Sequence, residues 1–171
     1  NVFEETADHA DRIILTTPVL SPAKFLKIAN NERPGFEVAR ISMSYRPEQG
    51  LEQAIRQVCE EAEQAVRDGK VLLILTDKDL KEGELPVNAL MATGAVHHHL
   101  VKKGLRCDSN IVVETGWARD PHHFAVLFGF GATAVYPYLA YQVLNDLIRT
   151  GELLMDPIDA KNNYRKGINK G

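Results

Sequence analysis

The chain has 171 residues, 44% hydrophobic and 25% charged, and its 20 Lys plus Arg against 23 Asp plus Glu leave a formal charge of −3. That length suits one domain that buries roughly 70% of its extended-chain surface on folding, and the near balance of charge provides no overall field for nucleic acid or an anionic membrane. No apolar run approaches the roughly 20 residues that span a bilayer, and Asn1-Val2-Phe3-Glu4-Glu5 has neither the basic nor the apolar part of a signal peptide, so a cytoplasmic location is expected.

The chain starts at Asn1 and ends in a basic, glycine-punctuated run, which suggests a piece of a longer polypeptide with internal termini. Cys59 and Cys107 share no CxxC spacing, so two free thiols are expected. Cys59 follows Val58 on an amphipathic helix and reads as a small buried hydrophobe.

Residues 1–34 form an irregular connecting arm outside any repeating unit. It holds Ile13-Ile14-Leu15 and a short helix that Ser21 and Pro22 start. Val38 to Tyr45 alternates imperfectly and reads as a first strand. Leu51, Ile55, Val58, Ala62, Ala65 and Val66 recur at helical spacing with charge on the other face, and Gly69 stops that helix. Val71-Leu72-Leu73-Ile74-Leu75 is the continuous apolar run of a central parallel strand. A long polar loop from Thr76 to Leu85 precedes a helix opened by Pro86, carrying Leu90, Met91, Val96 and Leu100 and ended by Gly104.

Ile111-Val112-Val113 is the next buried strand, closed by Glu114-Thr115-Gly116. Asp120 and Pro121 then begin a short helix, because the Asp side chain caps free amides and proline at the first position loses no bond. Gly129 and Gly131 end it, Ala134-Val135-Tyr136 makes a further strand, and Pro137 opens a helix to about Arg149. The pattern is four consecutive βα units, an α/β class with a mainly parallel sheet over 35–155. That is half of a (β/α)8 barrel, and an open four-stranded sheet fits equally. Residues 156–171, with Lys161, Arg165, Lys166 and Lys170 and no acid after Asp159, read as a basic linker. A strip that contacts a neighbouring domain or a phosphate-bearing ligand is the other reading.

In parallel sheets ligands sit at the carboxyl ends of the strands. That geometry gathers Tyr45, Arg46, Thr76, Asp77, Asp79, Glu114, Thr115, Arg119, Asp120, His122, Tyr136 and Tyr138. Asp77, Glu114, Arg119, Asp120, His122, Tyr136 and Tyr138 are the candidate cluster, as a site or as contacts between domains; strand ends collect polar residues in any such sheet, so catalysis does not follow from the grouping. His97, His98 and His99 are consecutive on a helix, point about 100° apart and cannot converge on one ion; His122 and His123 are placed likewise. Hydrogen bonding, packing or domain contact suits them better. No GxSxG, GxxxxGK[ST], GxGxxG or HExxH occurs.

The phrases TTPVLSPAKF, VLLILTD, LPVNALMATGAVHHHLV, RCDSNIVVETGWARDPHHFAVLFGFGATAVYPYLAYQVL and NYRKGINKG cover nearly the whole chain. With them the chain closely resembles the central domain of the large chain of bacterial glutamate synthase, in its NADPH-dependent form. The resemblance implies an amidotransferase domain before this segment and an FMN-binding barrel with an iron–sulfur cluster after it. It also implies a small partner subunit that brings FAD and NADPH. The domain would be a rudimentary relative of the FMN barrel, linking the two catalytic domains while ammonia from glutamine reaches the flavin site to make glutamate from 2-oxoglutarate. The parent would be an oxidoreductase, but no catalytic, cofactor or metal residue of the family maps onto this segment, so the isolated piece is expected to be inactive. GATAVYPYLAYQVL looks like the last strand and phosphate-binding turn of FMN barrels. Pro137 there has no N–H and Tyr138 is bulky, so the anion seat is expected to be blocked. The alternatives are a small stand-alone α/β enzyme using Asp77, Glu114 and His122, or an anion-binding regulatory module.

Overall fold

A computed structural model describes residues 11–78 and 80–171. The elements in chain order are α1 (Pro22–Ala29), β1 (Val38–Ser42), β2 (Ser44–Tyr45), α2 (Leu51–Arg67), β3 (Leu72–Thr76), β4 (Leu85–Pro86), α3 (Ala89–Lys102), β5 (Asn110–Glu114), α4 (Pro121–Gly129), β6 (Ala134–Tyr136), α5 (Tyr138–Arg149) and α6 (Pro157–Lys170). Several boundaries follow the local chemistry read above. Ser21 Oγ caps α1 by accepting from Lys24 N, Asp120 caps α4 by accepting from His123 N, and Gly69 leaves α2 at φ 83°.

The main sheet has the order β1-β3-β5-β6 with every neighbour parallel. Each βα unit therefore adds its strand to the same growing edge. Right-handed crossovers then place the connecting helices on one face only. Successive strand residues alternate between faces, and the two faces bury different clusters. Ile41, Leu73, Leu75, Ile111, Val113 and Val135 face α2, α3 and α4, meeting Val58, Ala62, Val96, Leu100, Phe124 and Leu127. Leu72, Ile74, Val112 and Ala134 face the other way, where no crossover helix can reach.

The arm covers that second face. Leu20, Phe25 and Ile28 pack on Leu72, Ile74, Val112 and Ala134. The arm also extends the sheet, because Val19 pairs in parallel with Val135, with Leu20 N donating to Val135 O at 2.9 Å and Val135 N donating to Pro18 O at 2.9 Å. An aromatic ladder fastens it further. Phe25 stacks on Tyr136 at 4.2 Å, Tyr136 meets Tyr141 at 5.8 Å, and Tyr141 meets Tyr164 at 5.9 Å. The Tyr141 hydroxyl donates to Leu20 O at 2.8 Å, and burial pushes its pKa up.

Three parts differ from the sequence expectation. Val38 to Tyr45 is two strands rather than one, since β2 leaves the main sheet to pair antiparallel with β4. The segment Thr76 to Leu85 thus ends in a ribbon. Pro86 belongs to that ribbon and does not open α3; Asn88 does, its side chain accepting from Leu90 N. Residues 157–170, read above as a basic linker, form a helix capped by Asp156, which accepts from Ile158 N and Asp159 N. Its Ile168 joins the core cluster on the helical face of the sheet and Tyr164 packs against it, so α6 lies beside α4 and α5.

Two polar clamps hold the helical layer. Glu63 on α2 meets Arg67 on its own helix and His99 and Lys103 at the end of α3; these partners, Arg67 first, hold its carboxyl at about 2. Gly131 has φ 113°, and its carbonyl accepts from Arg106 Nη2 at 2.8 Å while Arg106 Nε donates to His97 Nδ1 at 3.0 Å. A Cβ on Gly131 would lie 2.6 Å from His97 Cγ, so glycine is required there by both dihedral and space.

The arm is then part of the core rather than an appendage. Replacing Phe25, 3% exposed, by Ala should cost about 3–5 kcal/mol and lower Tm by roughly 10 °C in a thermal melt. A loss under about 1 kcal/mol would mean that the arm is loosely laid on the sheet.

Candidate functional site

Sheet register builds the site. Ser42, Thr76, Glu114 and Tyr136 are consecutive partners across the four strands, and paired residues in a parallel ladder share a face. They form one polar row at the carboxyl ends, on the side covered by the arm and just beyond the apolar layer of Ile74, Val112 and Ala134.

Glu114 is the centre of this row. It is 1% exposed, and Oε2 accepts from Arg40 Nη2 at 2.6 Å and from Thr76 Oγ1 at 2.8 Å. Arg40 comes from within β1 and also lies over the Phe25 ring at 6.0 Å. Its side chain remains 43% exposed, so it links a buried carboxylate to the surface. Tyr136 stacks on Phe25, and burial together with the Glu114 charge pushes its phenol up.

Asp77 forms a second buried acid group, 2% exposed, just past the end of β3. It accepts from the Thr115 hydroxyl and from Gly116 N at 3.0 Å. Burial pushes its pKa up, and the bonds from Thr115, Gly116 and Tyr138 oppose that rise. The Tyr138 hydroxyl also donates to Asp77 O at 3.5 Å. Added to Gly116, a Cβ would meet the Tyr138 hydroxyl oxygen at 3.2 Å, which shows how closely the start of α5 presses on this loop.

The remaining candidates divide from these two groups. Arg119, Asp120 and His122 are exposed. Asp120 is occupied in capping α4, its carboxylate lies 3.4 Å from His123 Nδ1, and Arg119 O accepts from the Tyr164 hydroxyl at 3.0 Å. Tyr45 packs against the helical core and pairs with Leu85. Asp79 lies outside the described residues. The histidine triplet diverges as its spacing requires, with His97 on Arg106 and His99 on Glu63. Among the described residues no group of three or more His, Cys, Asp or Glu is placed to hold a metal ion.

Sequence reasoning missed Arg40 and Phe25, the partners that make the row a closed unit. The available signal was a lone cation, Arg40, inside a strand that lies beside the apolar run 71–75; such a charge needs a partner, and Glu114 ends the next strand. A cavity of about 650 Å³ opens elsewhere, at the starting ends of β3 and β5, where Leu15, Phe36, Leu72 and Asn110 line it. It does not touch the paired acids.

Each acid is answered by donors from another element. Removing one partner of a buried pair leaves an uncompensated charge. Arg40→Met should therefore cost about 2 kcal/mol, below the range of about 3–5 for fully enclosed pairs because Arg40 is partly solvated. Adding Glu114→Met should recover most of that loss in denaturant unfolding. A double variant less stable than the single one would show that Glu114 has work independent of Arg40.

Comparison with known proteins adds the family. The glutamate synthase central domain model matches residues 1–171. The chain is 39% identical over 160 residues to the NADPH glutamate synthase large chain of Bacillus subtilis, covering 94% of this chain and 10% of that protein. It is 35% identical over 158 residues to the NADH glutamate synthase of Saccharomyces cerevisiae, covering 90% and 7%. It is also 35% identical over 186 residues to the ferredoxin-dependent glutamate synthase of Pyropia yezoensis, covering 100% and 12%. The chain spans about a tenth of the length of the curated relatives it matches. Coverage of the whole chain by one family model, on a parallel sheet of four βα units, establishes that this protein belongs to the glutamate synthase central domain family.

Proposed function

We propose that this chain is a connecting domain of a glutamate synthase large chain. It holds an amidotransferase domain and an FMN-binding synthase domain at a fixed spacing while ammonia passes between them. The parent enzyme makes glutamate from glutamine and 2-oxoglutarate with FMN, an iron–sulfur cluster and, through a small subunit, FAD and NADPH. This segment contributes position rather than chemistry, and in the cytoplasm it acts only as part of that assembly.

One observation carries the reading. The carboxyl ends of the strands, where a barrel enzyme would open its pocket, are covered by the chain's own arm, with Phe25 on Tyr136 and with Glu114 and Asp77 satisfied internally. The residues at the start of α5 do not suit a flavin phosphate. Pro137 offers no N–H and the Tyr138 hydroxyl is bonded to Asp77 O. A closed, well-packed body is what channelling needs, because a reactive intermediate is kept from bulk solvent only if the parts around it keep their register.

The surface also fits a domain with neighbours. Leu139 and Val143 on α5, Leu154 and Met155 in the turn, and Ile158 at the start of α6 are all exposed, Leu154 at 91% and Ile158 at 69%. Exposed apolar side chains grouped along one hairpin mark a contact surface. The candidate residues Arg119, Asp120 and His122, also exposed, serve the same purpose at the next loop.

The test uses the full enzyme. Replacing Leu154 and Ile158 together by Glu leaves the core untouched and should lower glutamine-dependent glutamate formation at least about threefold, a barrier change near 0.7 kcal/mol, with glutaminase turnover retained. Equal loss of both activities, or no change in their ratio, would count against a coupling role for this surface.

A further inference from the structure

The basic C-terminal strip has no part in the connecting role above, yet the fold gives it a defined setting. α6 runs beside the arm, and a cleft of about 310 Å³ opens between them. Its wall carries three cations, Lys24 from α1 and Arg165 and Lys166 from α6, against one carboxylate, Asp159. Among the described residues none of these cations forms an ion pair. Two distant segments of chain converge three positive charges on one concave space.

The donors in the cleft are only partly used. Lys24 Nζ donates to Thr16 Oγ1 at 2.8 Å and Arg165 Nη2 donates to Asn162 Oδ1 at 2.6 Å. Ser21, the cap of α1, also lines the cleft, so the positive end of that helix opens into it. Cations, hydroxyl donors and a helix N-terminus all favour the same kind of guest, an oxygen-bearing anion.

We propose that this cleft binds a small oxyanion, a phosphoryl or carboxylate group, which bridges the arm and α6. The arm's covering of the sheet and the α6 contact then become linked to ligand concentration, because a ligand that binds only the folded state stabilises it. Asp159 sets a limit on affinity by opposing the guest's charge.

Inorganic phosphate and succinate are the probes, titrated separately into the chain at constant ionic strength and followed by amide NMR shifts. One of them should saturate, with shifts concentrated at Thr16, Thr17, Ser21, Lys24 and α6, and whichever binds more tightly distinguishes a phosphoryl from a carboxylate guest. Arg165→Gln with Lys166→Gln should weaken binding at least about tenfold, and Asp159→Asn should tighten it. Lys70→Gln, outside the cleft, should leave it unchanged. If the double variant loses its folded spectrum, Lys166→Gln alone, at an exposed position, carries the test and should still weaken binding. Absence of saturation by either anion up to roughly 50 mM, or equal affinity in Lys166→Gln and the unaltered chain, would overturn the proposal.

Discussion

A four-stranded parallel sheet built in sequential order has helices on one side and nothing of its own on the other, and the rest of this structure follows from how that bare face is covered. In a closed barrel the opposite strands would bury it. Here Leu20, Phe25 and Ile28 do so, while residues 18–20 occupy the free hydrogen-bonding edge of β6. The same short arm thus covers that face and blocks addition of a further strand at that edge.

That covering also determines the chemistry of the strand ends. The polar row runs from exposed Ser42 to Thr76, Glu114 and Tyr136, and its buried part lies under the arm, where an ionised group must find partners within the protein. Arg40 and Thr76 answer Glu114; Thr115 and Gly116 answer Asp77. A carboxylate positioned for acid–base work needs open approach to a substrate and a proton path. These two are bonded instead as ties between strands and loops.

Most of the layered fold is legible in the residues. Continuous apolar runs at 71–75 and 111–113, the long amphipathic stripe of α2, and the Asp120-Pro121 and Pro137 starts each mark one element. The β2–β4 ribbon is not legible, because two-residue strands have no periodicity to read and Pro86 is also a common helix opener. α6 is hidden for another reason. Its charge suggests a solvated tail, although Asp156-Pro157 repeats the Asp120-Pro121 start and Ala160, Tyr164 and Ile168 recur every four residues. At the strand ends the sequence places Asp77, Glu114, Tyr136 and Tyr138 together, since these follow from the fold class. Arg40 and Phe25 come from an edge strand and from outside the repeat, and their meeting with Glu114 and Tyr136 depends on the docking of the arm, which no local pattern encodes.

The covering of the bare face can be tested by native-state hydrogen exchange at Leu20 and Val135, whose amides form the bridge between arm and sheet. If the arm belongs to the same cooperative unit as the sheet, both amides exchange only through global unfolding, with the same opening free energy as Leu75 and Val113. Exchange of Leu20 and Val135 through a local opening, well below the free energy measured at Leu75 and Val113, would contradict it and leave the interior face open to another occupant.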